Sequence, residues 1–236
     1  GWDAHAAMAE RLAWEVSEPD GRPPTLVIGE LEPSITIGRS GSRADVDLSV
    51  EELRSLGLEI RFVGHGGGAV PHGPGQVFVS LFAALEDLGL GRHDVGAYVA
   101  RFEAGLEGAL RRLGCAPRRR PGAHGLFGRT GLLAAVGIAV RRGVACHGGV
   151  VNVCPALETF HRVRSAPVPR GGESSTIATM GSVEAELRRK IRIQDARTAL
   201  VERIAAACRF PRTQIQSGFP FVTPHPAPPE IASRVG

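Results

Sequence analysis

The residues best placed for chemistry lie in one glycine-rich run, His65-Gly66-Gly67-Gly68-Ala69-Val70-Pro71-His72-Gly73-Pro74-Gly75-Gln76. Glycine lets a backbone adopt positive φ and approach a ligand closely. Such a stretch can turn several N–H groups towards a thioester oxygen or a carboxylate. The simpler reading is an elaborate turn, yet connections between strands seldom need so many residues. His72 and His147 stand beside glycines, which offer an imidazole little apolar surface to pack on. Each is therefore read as a substrate contact or as a hydrogen-bonding post for its loop.

Nucleophiles and bases are scarce. Of 28 basic residues, Lys190 is the only lysine. Arginine cannot serve as a tunable base, so a lysine-dependent mechanism has one candidate. The four cysteines, Cys115, Cys146, Cys154 and Cys208, form no CxxC pair and no metal-type spacing. Reduced thiols are the simplest reading for a chain of this size. Cys146 and Cys154 flank the histidine-bearing segment around His147, but a buried cysteine is commonly an inert core residue. Arg111, Arg112, Arg118, Arg119 and Arg120 cluster at the end of a long helix. They read as solvated surface or as a landing site for an acidic protein; without interleaved aromatics they give no support for nucleic-acid binding.

These residues need elements to hold them. Helices are expected over about 3–16, 50–56, 95–113 and 182–208, the third capped by Asp94 and ended by Gly114. Strands are expected at 25–28, 34–37, 58–62, 77–82, 132–140 and 144–153, the last two joined as a hairpin through Arg141-Arg142-Gly143. Strands and helices are interspersed without strict βαβ alternation, which predicts an α+β domain with a mixed sheet flanked by helices. One domain is expected over 1–218, followed by a Pro-rich tail over 219–236. Apolar residues make up 43% and charged ones 22% at a net charge of +4, ordinary for a soluble globular protein. The purest apolar run, Gly131 to Val140, is half the length needed to span a bilayer, and the opening residues lack the pattern of a leader. The expectation is a cytoplasmic protein with no membrane segment.

Five ordered pieces carry a resemblance. His72-Gly73-Pro74-Gly75-Gln76 matches the end of the RGGxxTYHGPGQ signature of the lipoyl(octanoyl) transferases. Thr36-Ile37-Gly38-Arg39 matches the family's TxGR. Ala134-Ala135-Val136-Gly137 matches its AAIG strand. His147-Gly148-Gly149-Val150-Val151-Asn152 matches HGxxLN, and Leu157 with Phe160-His161-Arg162-Val163 matches DLxxFxxI. The chain thus resembles that family from about residue 5 to 210. The resemblance implies the biotin/lipoate protein ligase fold. It implies a cysteine that takes an octanoyl group from acyl carrier protein and passes it to a lysine of a lipoyl domain, without ATP, metal or other cofactor. It also implies substrate contacts from His65, Gly66, Gly67, Gly68, Ala69, Val70, Pro71 and His72, from Ala135, Val136 and Gly137, and from Gly148, Gly149 and Val150.

The departures fall on the reactive pair. The family's lysine opens the strand KIAAIG, and that position is Leu132. Its nucleophile sits in a PCG tripeptide after FxxI, and that position is Ala166. The signature's leading arginine is His65, and its tyrosine is Pro71. A thiolate suits acyl transfer because it attacks and leaves well, and a nearby ammonium lowers its pKa. A leucine and a methyl group do neither. Ser165 lacks a placed base unless the turn folds His161 back onto it. The sequence therefore predicts a catalytically degenerate relative that binds an acyl or lipoyl group, an acyl carrier protein or a lipoyl domain. The alternative is an active octanoyltransferase with a relocated nucleophile.

Overall fold

The computed structural model describes residues 2–18, 20–120, 123, 125–165 and 179–216. The tail over 219–236 and position 166 lie outside them. Helix α1 (Trp2–Ser17) leads into strands β1 (Thr25–Gly29) and β2 (Ser34–Ile37), then α2 (Val50–Ser55), β3 (Glu59–Phe62), β4 (Ala69–His72) and β5 (Gln76–Ala84). Helix α3 (Val95–Leu113) precedes β6 (Gly125–Phe127), β7 (Leu132–Arg141) and β8 (Val144–Asn152). Three helices follow: α4 (Leu157–Phe160), α5 (Val183–Leu187) and α6 (Ile193–Ala207).

The strands form two sheets. The larger runs β1-β5-β8-β7-β6, antiparallel throughout; the smaller runs β3-β2-β4, with β2 parallel to β3 and antiparallel to β4. The first two strands, adjacent in sequence, therefore part company into different sheets. Glycine-segment residues 69–72, read from sequence as irregular, form a strand. Pro71 is tolerated there because β4 lies at the edge of the small sheet, where a missing N–H breaks no interior ladder. The β7–β8 hairpin turns through Arg142 and Gly143, both at positive φ (53° and 83°), the conformation that matches strand twist in a two-residue turn.

Helices α3 and α6 cover one face of the large sheet. Tyr98, Phe102, Leu106 and Leu110 pack there with Ala196, Ala199, Leu200 and Ile204. Gly105 sets their separation, since a Cβ on it would stand 2.9 Å from the Ile204 Cα. The single helix expected over 182–208 is two. Arg188 adopts φ 52° and ends α5, and Glu184 then holds the Ile191 N–H at 2.8 Å. No glycine or proline marks this break, so periodicity alone runs through it. On the opposite face α1 lays Met8, Ala9, Leu12 and Val16 against Phe82, Val144 and Cys146. No helix among the described residues is long and apolar enough to cross a membrane.

Candidate functional site

The turn after β2 clamps the glycine segment. The Gly38, Arg39 and Ser40 amides donate to the Gly68, His65 and Gly67 carbonyls, each at 3.0 Å. Gly66 N–H donates to the Ile138 carbonyl at 2.9 Å, which ties the segment to β7 as well. This contact needs a glycine at 38, because a Cβ there would come within 2.5 Å of the Gly67 oxygen. Gly137 is required in the same way, since a Cβ on it would lie 2.6 Å from His65 Nδ1.

The clamped segment closes a cavity of about 60 Å3 between the sheets. His65, Gly66, Gly67, Val70 and His72 line it from one side. Ala135, Val136 and Gly137 of β7 and Gly148, Gly149 and Val150 of β8 line it from the other. Three segments far apart in sequence thus meet at one concavity. Gly68, Ala69 and Pro71 do not line it, and Ala69 is instead fully buried against Ile35 and Ile37. Residues with no sequence signal complete the wall: His5 from α1, Leu31, and Phe78 and Ser80 from β5. The alternation of β5 could have nominated Phe78 and Ser80 for one sheet face. Nothing local could have brought His5 there.

A buried polar chain runs along the wall. Gln76 Nε2 donates to the Pro71 carbonyl and to Asn152 Oδ1, both at 2.9 Å. That fixes the amide, so its Oε1 accepts from His72 Nδ1 at 2.8 Å. His72 Nε2 then accepts from the Thr36 hydroxyl at 2.8 Å, an assignment that follows from the network. Asn152 extends the chain to the Leu132 carbonyl at 3.1 Å. His72 is therefore a neutral, fully engaged imidazole, and burial pushes its pKa down to about 4.

His147 reaches the cavity by an unusual backbone. Alternation puts Ala145 and Val151 of β8 in the α3 core, along with Ile138, the cross-strand partner of His147. His147 instead adopts φ 64° and lines the cavity, its ring centroid 5.1 Å from that of His65. Left-handed backbone is uncommon outside glycine, and it is held where the surroundings determine it. Cys146 keeps the alternation and shares the α1-facing cluster with Val144. Burial lowers the pKa of His5 to about 4, of His147 to about 3 and that of His65, with Arg141 adding to the shift at His147 and Arg39 to that at His65.

Neither cysteine nor lysine lines the cavity among the described residues. Burial pushes all four thiols up, Cys115 and Cys208 to about 11. Lys190 sits fully in solvent, 3.2 Å from Glu184. Leu132 is 1% exposed and packs with Phe78, Phe127, Ala135, Val150, Phe160 and Met180. Among the described residues the buried Ser165 hydroxyl has no hydrogen-bond partner, and His161 Nε2 faces the Met180 carbonyl at 3.2 Å. No group of three or more His, Cys, Asp or Glu is arranged to hold a metal ion among the described residues.

The profile described as Lipoyl protein ligase A/B catalytic domain matches residues 3–205. The chain belongs to this family. It is 31% identical to a protein of Geobacter metallireducens named octanoyltransferase, over 228 residues that span 96% of this chain and 95% of the relative. A Syntrophobacter fumaroxidans protein of the same name is 33% identical over 158 residues, 67% of this chain and 68% of the relative. Among solved structures, a bi-partite lipoate protein ligase from Thermoplasma acidophilum superposes with a TM-score of 0.66 at 19% identity, covering 88% of this chain and 80% of that one. A lipoate-protein ligase A bound with ATP gives 0.68 at 19% identity, over 87% and 81%. The fold is therefore that of the biotin/lipoate protein ligases, and the chain is octanoyltransferase-like.

The arginine cluster at the end of α3 is largely committed within the family fold. Arg111 pairs with Glu107 at 2.8 Å and Arg112 with Glu202 at 3.1 Å. Arg119 pairs with Glu103 at 3.1 Å, while Arg120 stacks 4.3 Å above the Phe127 ring. Internal acids offset most of the cluster's charge, which weakens its reading as a landing site for an acidic protein.

Proposed function

We propose that this chain is a catalytically degenerate lipoyl(octanoyl) transferase-like protein that keeps the family's acyl pocket and holds an acyl or lipoyl group without taking it onto a thiol of its own. One observation carries the reading. Four of the five segments that match the family's pattern put residues on one cavity, and no thiol or ammonium stands among the described residues around it. The glycine run, Ala135-Val136-Gly137 and Gly148-Gly149-Val150 supply its walls, as an aliphatic chain requires. Raised thiol pKa values argue against relocation of the nucleophile to Cys146 or Cys154. The partners proposed are acyl carrier protein or a lipoyl domain in the cytoplasm, within protein lipoylation.

The test is incubation with octanoyl-acyl carrier protein, followed by intact-mass analysis and by a binding measurement with a non-transferable octanoyl amide. The expected result is saturable amide binding and an unchanged protein mass. A stable gain of one octanoyl group would make the chain an active transferase and overturn the reading.

A further inference from the structure

Four of the chain's eight histidines face one cavity: His5 from α1, His65 from the glycine run, His72 from β4 and His147 from β8. His72 is occupied at both ring nitrogens by Gln76 and Thr36. His65 and His147 form a close ring pair, tilted by 53° with centroids 5.1 Å apart. The His65 Nδ1 lies 2.7 Å from the Gly66 carbonyl and must carry the proton there, since a carbonyl only accepts. A neutral His65 therefore keeps only a lone pair at Nε2, and protonation alone turns that nitrogen into a donor.

The charged groups around the pair share one sign. Arg39, in the turn after β2, adds positive potential at His65 while its guanidinium donates to the Gly64 carbonyl at 2.7 Å. Arg141, at the end of β7, does the same at His147. No carboxylate lines the cavity among the described residues. An empty cavity of this kind keeps its imidazoles neutral, because burial and like charge both oppose protonation. An entering anion reverses the second effect and gives a buried cation its partner.

We propose that this pocket takes an aliphatic carboxylate, the free acid rather than its thioester, together with one proton from solvent that the His65–His147 pair holds against the carboxylate. This rests on the acyl-pocket reading above and names the head group the pocket selects. The balance is simple: an anion and a proton enter, no covalent bond changes, and the filled cavity is neutral. A bare carboxylate in so apolar a wall would be strongly disfavoured. A thioester needs no such proton and gains nothing from it. The left-handed backbone that turns His147 out of the α3 core and onto His65 is the structural investment that the pair requires.

Titration calorimetry of the full chain with octanoate and with octanamide tests this between about pH 6 and 8, in buffers of different ionisation enthalpy. Across that range free octanoate is ionised, and burial holds each lining histidine below its ordinary pKa, so binding draws up to one proton per ligand. The octanoate affinity should fall about tenfold per pH unit, with one proton drawn from the buffer, while octanamide affinity stays flat. In His65→Asn and in His147→Asn, whose asparagine tolerates left-handed backbone, octanoate at pH 6 should weaken at least tenfold and proton uptake should shrink. Retained octanamide binding reports that each variant is folded. Octanoate binding that ignores pH overturns the inference, as does a tenfold slope that survives both substitutions, which would mean that the neutral acid binds without the pair. If octanamide binds and octanoate does not, the head-group inference fails while the acyl pocket stands. If neither binds, the acyl-pocket reading itself fails.

Discussion

Leu132→Lys, at the position that the resemblance sets against the family's lysine, should destabilise the protein strongly, and in a manner that depends on pH. Leu132 is 1% exposed among Phe78, Phe127, Ala135, Val150, Phe160 and Met180. A lysine placed there keeps most of the apolar stem contact but must bury its nitrogen. Fully buried lysines fall to pKa values of about 5–6, from about 10.4 in the unfolded chain. At pH 7 the folded variant therefore carries a neutral amine. Deprotonating it from its unfolded value requires about 4–5 kcal/mol at about 1.36 kcal/mol per unit. That is a large share of the roughly 5–15 kcal/mol by which domains are stable. The sign follows from proton counts. The folded pKa is lowered, so between the two pKa values the unfolded state binds the extra proton, and stability rises with pH. Urea denaturation of both proteins should show the difference shrinking by about 2.7 kcal/mol from pH 7 to pH 9. A difference that does not change with pH, or one below about 1 kcal/mol, would show the ammonium reaching water and refute the closed apolar site at 132. Adding Ala166→Cys to this variant should allow an acyl-enzyme to form from octanoyl-acyl carrier protein, whereas the cysteine alone, with a pKa near about 8.5, should acylate more slowly.

Two further outcomes follow from the buried network and the thiols. Gln76→Leu strands His72 Nδ1, the Pro71 carbonyl and Asn152 Oδ1, so stability should drop by about 3 kcal/mol or more, at about 1 kcal/mol or more per orphaned group. A thermal melt should then fall by about 6 °C or more, and a shift below about 2 °C would mean that water reaches the network. Thiol labelling at mildly acidic pH should be slow and unselective, rising with pH as the raised thiol pKa values are approached. Fast stoichiometric labelling of Cys146 or Cys154, blocked by an octanoyl thioester, would instead identify a relocated nucleophile.

Much of the fold was legible because its signals are local. Asp94 caps α3 through the Ala97 amide at 3.0 Å, and Gly114 ends it at φ 103°. The β7–β8 hairpin announced itself through Gly143. Elements without such punctuation were missed or merged. β6 is three residues long, too short for a period to show. The α5–α6 break depends on Glu184 reaching Ile191 and Lys190, a contact that no residue type at 188 signals. Strand β4 was hidden inside a glycine run because its partner, β2, lies across the turn at Gly38-Arg39.

The sequence by itself determined the family and the places of the glycine run and its matching segments, and by resemblance it set Leu132 and Ala166 against the family's lysine and cysteine. These are matters of residue identity and order, which need no coordinates. Tertiary structure alone decided that His5 joins His65, His72 and His147 around one cavity, that Gln76 fixes the tautomer of His72, and that His147 leaves the alternation of its strand. It also decided that Gly68, Ala69 and Pro71 turn away from that cavity. Each of these depends on contacts between segments tens of residues apart, on close approaches such as Gly137 beneath His65, and on a backbone angle that β-strand periodicity does not anticipate.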